Sequence, residues 1–152
     1  LEVGHKPKVI TAGRKINNSM GTYIVKQVID LMSKKIKKIF GSNVLIMGFT
    51  FKENCPDTRN TRVIDLVNGF RKYNLNIDVY DPYINKSEVL KKYGIKAIDK
   101  PKEGKYDAIV LSVSHDEFKK LSFNQIKNFG KENSVIYDVK YLLDIDQVDG
   151  RI

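Results

Sequence analysis

The sequence predicts a doubly wound α/β domain, built on a parallel sheet and preceded by one long amphipathic helix. Short, almost wholly apolar runs such as Val44–Met47 and Ala108–Val113 are what strands covered on both faces require. Segments of helical period separate those runs, and alternation of the two implies parallel strands joined by right-handed crossovers. The 152 residues, 41% hydrophobic and 30% charged, suffice for one domain with a core of its own.

Taken in order, residues 9–40 read as one helix, with Ile24, Val28, Leu31, Ile36 and Ile39 at helical spacing and lysines on the other face. Gly13 and Gly21 lower helix propensity in its first half, and Gly41-Ser42-Asn43 is expected to end it. Val44–Gly48 is the first strand. A helix over Arg59–Tyr73 follows, burying Val63, Leu66, Val67 and Phe70, with Asp57 as its expected cap. Asn76–Tyr80 is a second strand, closed by the turn Asp81-Pro82. Lys86–Tyr93 is a short helix, Lys96–Ile98 a minor strand, and residues 100–105 a surface loop. Ala108–Val113 is a further buried strand, after which Ser114 and Glu117 have the spacing of a capping box. A short helix over Phe123–Asn128 and a last strand over Ser134–Asp138 complete the pattern. The expected division is residues 1–41 as linker and long helix, and 42–152 as the α/β domain.

The formal charge of +9 raises the question of nucleic acid. However, nine of the 27 Lys/Arg and only two of the 18 Asp/Glu lie in residues 1–40, so the remainder is nearly balanced. A lysine-rich helix face is the plain reading of that surplus, and no nucleic-acid-binding motif accompanies it. No apolar run reaches the ~20 residues of a membrane span, and the first residues lack the apolar stretch of a signal peptide. The single cysteine, Cys55, suits a reducing compartment. A cytoplasmic protein with neither nucleic-acid nor membrane partners is therefore expected. His5, His115 and Cys55 are too dispersed for a metal site. His115, between a strand and a helix, reads as a capping-region residue, and His5 as part of a flexible lead-in.

In an open α/β sheet, ligands bind beyond the carboxyl ends of the strands, so the residues that follow each strand are the informative ones. A dinucleotide-binding domain carries G-x-G-x-x-G after its first strand; here only Gly48 is present. Asp81 stands where a ribose-binding acid would, but without that loop its expected task is to open a turn. In place of the glycines is a longer loop with Lys52 and Arg59, leading to a helix N-terminus, which suits phosphate or carboxylate. Phe51 can stack on a flat base or pack under the sheet, and periodicity favours packing. Lys140, after the last strand, projects from the same sheet edge as Lys52 if both strands are central. Two cations on one cleft suit a diphosphate.

The stretch GFTFKENCPDTRNTRVIDLV, Gly48–Val67, closely resembles the signature that opens the carboxy-terminal domain of the UDP-glucose/GDP-mannose dehydrogenase family. Every fixed position of that family's G-x-x-F-K-x-x-x-x-D-x-R pattern is matched. HKPKVITAGRKINNSMG is similar to the family's entry into its long central helix, and residues 77–82 and 138–144 match further elements in the right order. The resemblance implies a Rossmann-like, nucleotide-sugar-binding domain, with NAD held mainly by an amino-terminal domain and a homodimer formed through the long helix. It assigns Phe51, Lys52 and Lys140 to the UDP-sugar and Arg59 to the NAD. Many relatives carry arginine in place of Lys140, and lysine keeps the charge but loses the bidentate fork. The family oxidises the C6 hydroxyl of the sugar to a carboxylate in two steps, through a thioester on a cysteine. That cysteine belongs to a Gly-rich segment upstream of Leu1, and Cys55 is not its equivalent. The chain is thus expected to be a binding fragment, inactive alone. The run F-K-E-N-C-P-D-x-R-N is most similar to the branch acting on UDP-N-acetylglucosamine or UDP-N-acetylgalactosamine, in bacterial surface polysaccharide synthesis. The alternative is a nucleotide-binding or dimerisation module without dehydrogenase activity.

Overall fold

A computed structural model describes residues 8–152, and side chains from residue 12 onward; His5 lies outside the described residues. Helix α1 spans Lys8–Lys35, and strands β1 (Asn43–Met47), β2 (Asn76–Tyr80), β3 (Tyr106–Leu111), β4 (Gly130–Asp138) and β5 (Gly150–Arg151) form one sheet. Its order is β2-β1-β3-β4-β5 and every pairing is parallel. Helices α2 (Val63–Lys72), α3 (Lys86–Tyr93), α4 (Asp116–Lys119) and α5 (Phe123–Phe129) make the connections, and a 3₁₀ turn at Ile145–Gln147 precedes β5. The doubly wound α/β architecture is the one the apolar runs predict.

Alternate residues of the central strands face opposite ways, so each strand feeds two cores. Val44, Ile46, Ala108, Val110 and Val135 meet α1 and α2 through Ile24, Val25, Val28, Met32, Leu66, Val67 and Phe70. Leu45, Met47, Ile109, Leu111 and Ile136 meet Phe118 of α4 and Ile126 of α5. The apolar stripe of α1 is therefore buried on the chain's own sheet from Ile24 onward. Its first turns are different: Ala12–Ser19 are all exposed. Helices α1 and α2 cross closely, because a Cβ at Gly21 would lie 2.7 Å from Asp65 Cβ and one at Gly69 would lie 2.6 Å from Val25 Cγ2.

Several boundaries differ from the sequence pattern for identifiable reasons. Helix α1 stops at Lys35, five residues before the expected Phe40. Ile36 and Ile39 still pack against the core, but from an irregular turn, which shares a spacing of three with a helix. Gly41 closes that turn at φ 79°. Helix α2 begins at Val63, not Arg59, and Asp57 does not cap it. Asn60 takes φ 58°, and Thr61 anchors the preceding turn, its hydroxyl donating to Phe49 O at 2.5 Å and accepting from Val63 N. Lys96–Ile98 makes one ladder-like bond, Ile98 N to Val79 O, and is no strand. The capping box expected at Ser114 is absent; His115 is the N-cap by position, its own side chain does not cap α4, and Asn54 Oδ1 accepts the Asp116 N–H. The reciprocal pair forms instead at Ser122 and Gln125.

Candidate functional site

The chain leaves β1 for β2 on one side, and later enters β3 on the other side of β1. Connections diverge at the carboxyl ends of these two strands, which opens a crevice there. A cleft of about 480 Å³ occupies it, lined by Phe51, Lys52 and Lys140 among others. The sequence-predicted convergence of Lys52 and Lys140 on one cleft is thus found. Neither ammonium forms an ion pair among the described residues.

Each of these side chains is placed by backbone anchored elsewhere. Gly48 turns the chain out of β1 at φ 97°, and a Cβ there would lie 2.5 Å from Val113 Cβ. Glycine is required at this point by packing on the β3 end. Phe49 is fully buried, edge-on to Tyr93 at 5.3 Å. Phe51, which periodicity favoured as the packed ring, is 51% exposed. Its N–H donates to Asp57 O, closing the loop, and the Lys52 ammonium lies 5.8 Å from its ring centroid. On the other wall, the fully buried Asp138 accepts Lys140 N–H at 3.0 Å and Leu143 N–H at 2.9 Å. Between them Tyr141 takes φ 58°, uncommon for a bulky residue.

Arg59 stands apart from this group. It does not line the cleft; its guanidinium folds back on Asp57, with bonds of 3.0 Å to both carboxylate oxygens. The Arg59 side-chain hydrogen bond holds the Asp57 carboxyl down at about 2. In its place Arg62 lines the cleft, bonded to Asn18 and 3.6 Å from Asp65. Reading α2 from Arg59 hid Arg62 inside a helix. Asn17, Met20, Gly21 and Ile24 of α1 also form cleft wall. The sequence set that helix apart from the α/β domain, and nothing in its pattern shows where it docks.

Asp81 and His115 each do more than the turn and the capping position that the sequence predicts for them. Asp81 receives Tyr83 N–H at 2.8 Å as the turn requires. Its second oxygen also takes Phe49 N–H at 2.7 Å, Thr50 N–H at 3.1 Å and His115 Nε2 at 2.8 Å. Burial acts to raise the Asp81 carboxyl, but the hydrogen bonds from His115, Phe49 and Tyr83 outweigh it and hold the group below its ordinary value. His115 is fully buried. Cys55 is a free, half-buried thiol, and no group of three His, Cys, Asp or Glu among the described residues could hold a metal ion. No described helix is long and apolar enough to cross a membrane.

Residues 45–145 match the UDP binding domain of the UDP-glucose/GDP-mannose dehydrogenase family. The chain belongs to that family. It is 46% identical to a UDP-N-acetyl-D-glucosamine 6-dehydrogenase of Salmonella typhi over 99% of its own length and 35% of the relative's. Against the enzyme of that name from Pseudomonas aeruginosa the identity is 45%, over 99% of this chain and 36% of the relative. The chain therefore spans about a third of the curated relatives it matches. Among solved structures, an NDP-N-acetyl-D-galactosaminuronic acid dehydrogenase from Methanosarcina mazei superposes with a TM-score of 0.80 at 24% identity, covering 92% of this chain and 30% of that one. A UDP-D-ManNAc dehydrogenase from Pyrococcus horikoshii gives 0.78 at 22%, over 99% and 34%. The one glycine of the turn after β1 packs against Val113.

Proposed function

We propose that this chain is the nucleotide-sugar-binding part of an NAD-dependent 6-dehydrogenase, and that the cleft at the ends of β1, β3 and β4 takes the UDP moiety. The observation that carries this reading is the pair of ammonium groups, Lys52 and Lys140, on one cleft and without ion-pair partners among the described residues. In a cleft with partly apolar walls, such charges attract a diphosphate more strongly than they would in open water. The exposed Phe51 ring beside Lys52 offers a flat face to the ligand. Arg59 faces solvent outside the cleft, consistent with a contact to NAD held elsewhere; that contact requires exchanging Asp57 for a cofactor phosphate. The names of the relatives above support a UDP-N-acetylhexosamine as the sugar nucleotide; a cytoplasmic enzyme of surface polysaccharide synthesis is what the resemblance of the Gly48–Val67 stretch implies. On this reading NAD supplies the oxidising power for converting the C6 hydroxyl to a carboxylate. The residues of this chain bind and orient the substrate.

Titration of the chain with UDP tests this. Saturable binding is expected, weakened about tenfold or more by Lys52→Ala and by Lys140→Ala, since each removes a charge-assisted contact. No response to millimolar UDP by calorimetry or chemical shift would reject the cleft as a UDP site in this chain. The exposed first turns of α1, with Ile16 60% exposed, support the same reading's homodimer, in which a second copy packs on this helix. A monomer by light scattering at all concentrations would remove it.

A further inference from the structure

We propose that His115 is a positioning residue that holds the Phe51–Lys52 loop in its ligand-ready shape, through a proton arrangement fixed on its ring; this rests on reading the cleft as the UDP site. The ring is fully buried, lying 4.8 Å from the Tyr83 centroid and 5.2 Å from that of Phe118. Nδ1 lies 2.9 Å from Asn54 N, and Nε2 lies 2.8 Å from Asp81 Oδ2. A backbone N–H can only donate, so Nδ1 must be an acceptor without a proton. The proton of the neutral ring is then on Nε2, donated to Asp81, with Thr50 Oγ1 at 3.3 Å as a weaker acceptor.

This arrangement joins three strand ends. Asp81, after β2, grips the start of the β1 loop through the Phe49 and Thr50 amides. His115, after β3, grips its end through the Asn54 amide. Asn54 sits at φ 55°, a left-handed conformation that asparagine tolerates, and its side chain is held as well. Asp116 N–H donates to Asn54 Oδ1 at 2.9 Å. Between the two grips, Thr50 Oγ1 donates to Lys52 O at 2.8 Å. The exposed Phe51 ring and the Lys52 ammonium make no ion pair or hydrogen bond of their own among the described residues, so their backbone sets where they point. The two grips flank Lys52, Thr50 on one side and Asn54 on the other, and the one at Nδ1 holds the loop's return.

Two amides separate the functions of the ring nitrogens. Asparagine can place its oxygen near the Nδ1 position and still accept from Asn54, and glutamine can place its amide nitrogen near Nε2 and still donate to Asp81. In the full chain, His115→Asn is expected to keep UDP affinity within about threefold, whereas His115→Gln loses about tenfold, although both lower Tm. Hydrogen exchange at the Asn54 amide should accelerate in His115→Gln alone, and it reads the clamp without any ligand. Equal losses in the two variants, or an unchanged Asn54 amide in His115→Gln, would overturn the proposal and leave His115 a packing residue. If the wild-type chain does not bind UDP, the cleft assignment fails, and the exchange pattern still decides the clamp. Should neither variant fold, ¹⁵N chemical shifts of the His115 ring in the wild-type chain decide: a proton on Nε2 is expected, and one on Nδ1 refutes the arrangement.

Discussion

The two ends of this sheet give their buried and half-buried carboxylates different partners. At the carboxyl end, Asp81 and Asp138 accept backbone N–H groups: Phe49, Thr50 and Tyr83 for one, Lys140 and Leu143 for the other. Neither takes a lysine among the described residues. Toward the amino end, Asp107 receives Lys131 at 2.9 Å as well as Asn43 N–H, and Asp78 receives Lys105 together with the Tyr106 hydroxyl. Acids at the far end neutralise neighbouring cations. The two buried acids at the cleft end shape loops, and Lys52 and Lys140 form no ion pair among the described residues. This division suits an anion site, because a carboxylate paired with either ammonium would compete with the ligand; Glu53 lines the same cleft but pairs with neither lysine.

If the division is real, removing a cleft-end acid costs far more than removing a far-end lysine. Asp81→Ala strands three backbone donors and His115 Nε2, and is expected to destabilise the chain by about 4 kcal/mol in urea denaturation. Asp138→Asn keeps the volume and one acceptor, so its cost should be about 2 kcal/mol, with UDP affinity falling because the Lys140 turn relaxes. A cost below that of the far-end substitutions for both would break the comparison.

Acid sharpens it further. The folded-state Asp81 carboxyl titrates below its ordinary 3.8. Its contribution to stability is therefore complete above that value and is lost as the pH falls through the lower folded value. A wild-type chain should lose stability steeply below about pH 4. In Asp81→Asn that part of the slope should be missing, as measured by urea midpoints at stepped pH. An identical slope in the variant would assign the acid sensitivity to other carboxylates.

How much of this was legible in the sequence follows from the range of the interactions involved. The apolar runs of β1 and β3 set the fold, since burial on both faces leaves no polar alternative. Lys52 and Lys140 lie in the loops that leave the carboxyl ends of β1 and β4, so topology places them at one end of the sheet. What was missed depends on partners far away in the chain. Asp81 lies 34 positions from His115, and a turn or a cap satisfies the local sequence at each. Arg62 was hidden because Asn60 at positive φ delays α2, a conformation that asparagine permits but does not announce. Phe51 and Phe49 differ by two positions and by period alone share a face; the turn at Gly48 breaks that period and sends only Phe49 inward.

The smallest expected effect is at the far end, and it is the one that makes the contrast meaningful. Lys131 is half exposed, with 49% of its side chain accessible, and its partner Asp107 is buried. Replacing it with methionine removes one ion pair that water largely screens, while Asn43 N–H still satisfies the carboxylate. A loss of under about 1 kcal/mol is expected, shrinking further in high salt, with UDP binding unchanged. A loss near that of Asp81→Ala would mean that Asp107 depends on its lysine as strongly as Asp81 depends on His115. The two ends of the sheet would then differ in the chemistry of their partners but not in their energetic weight.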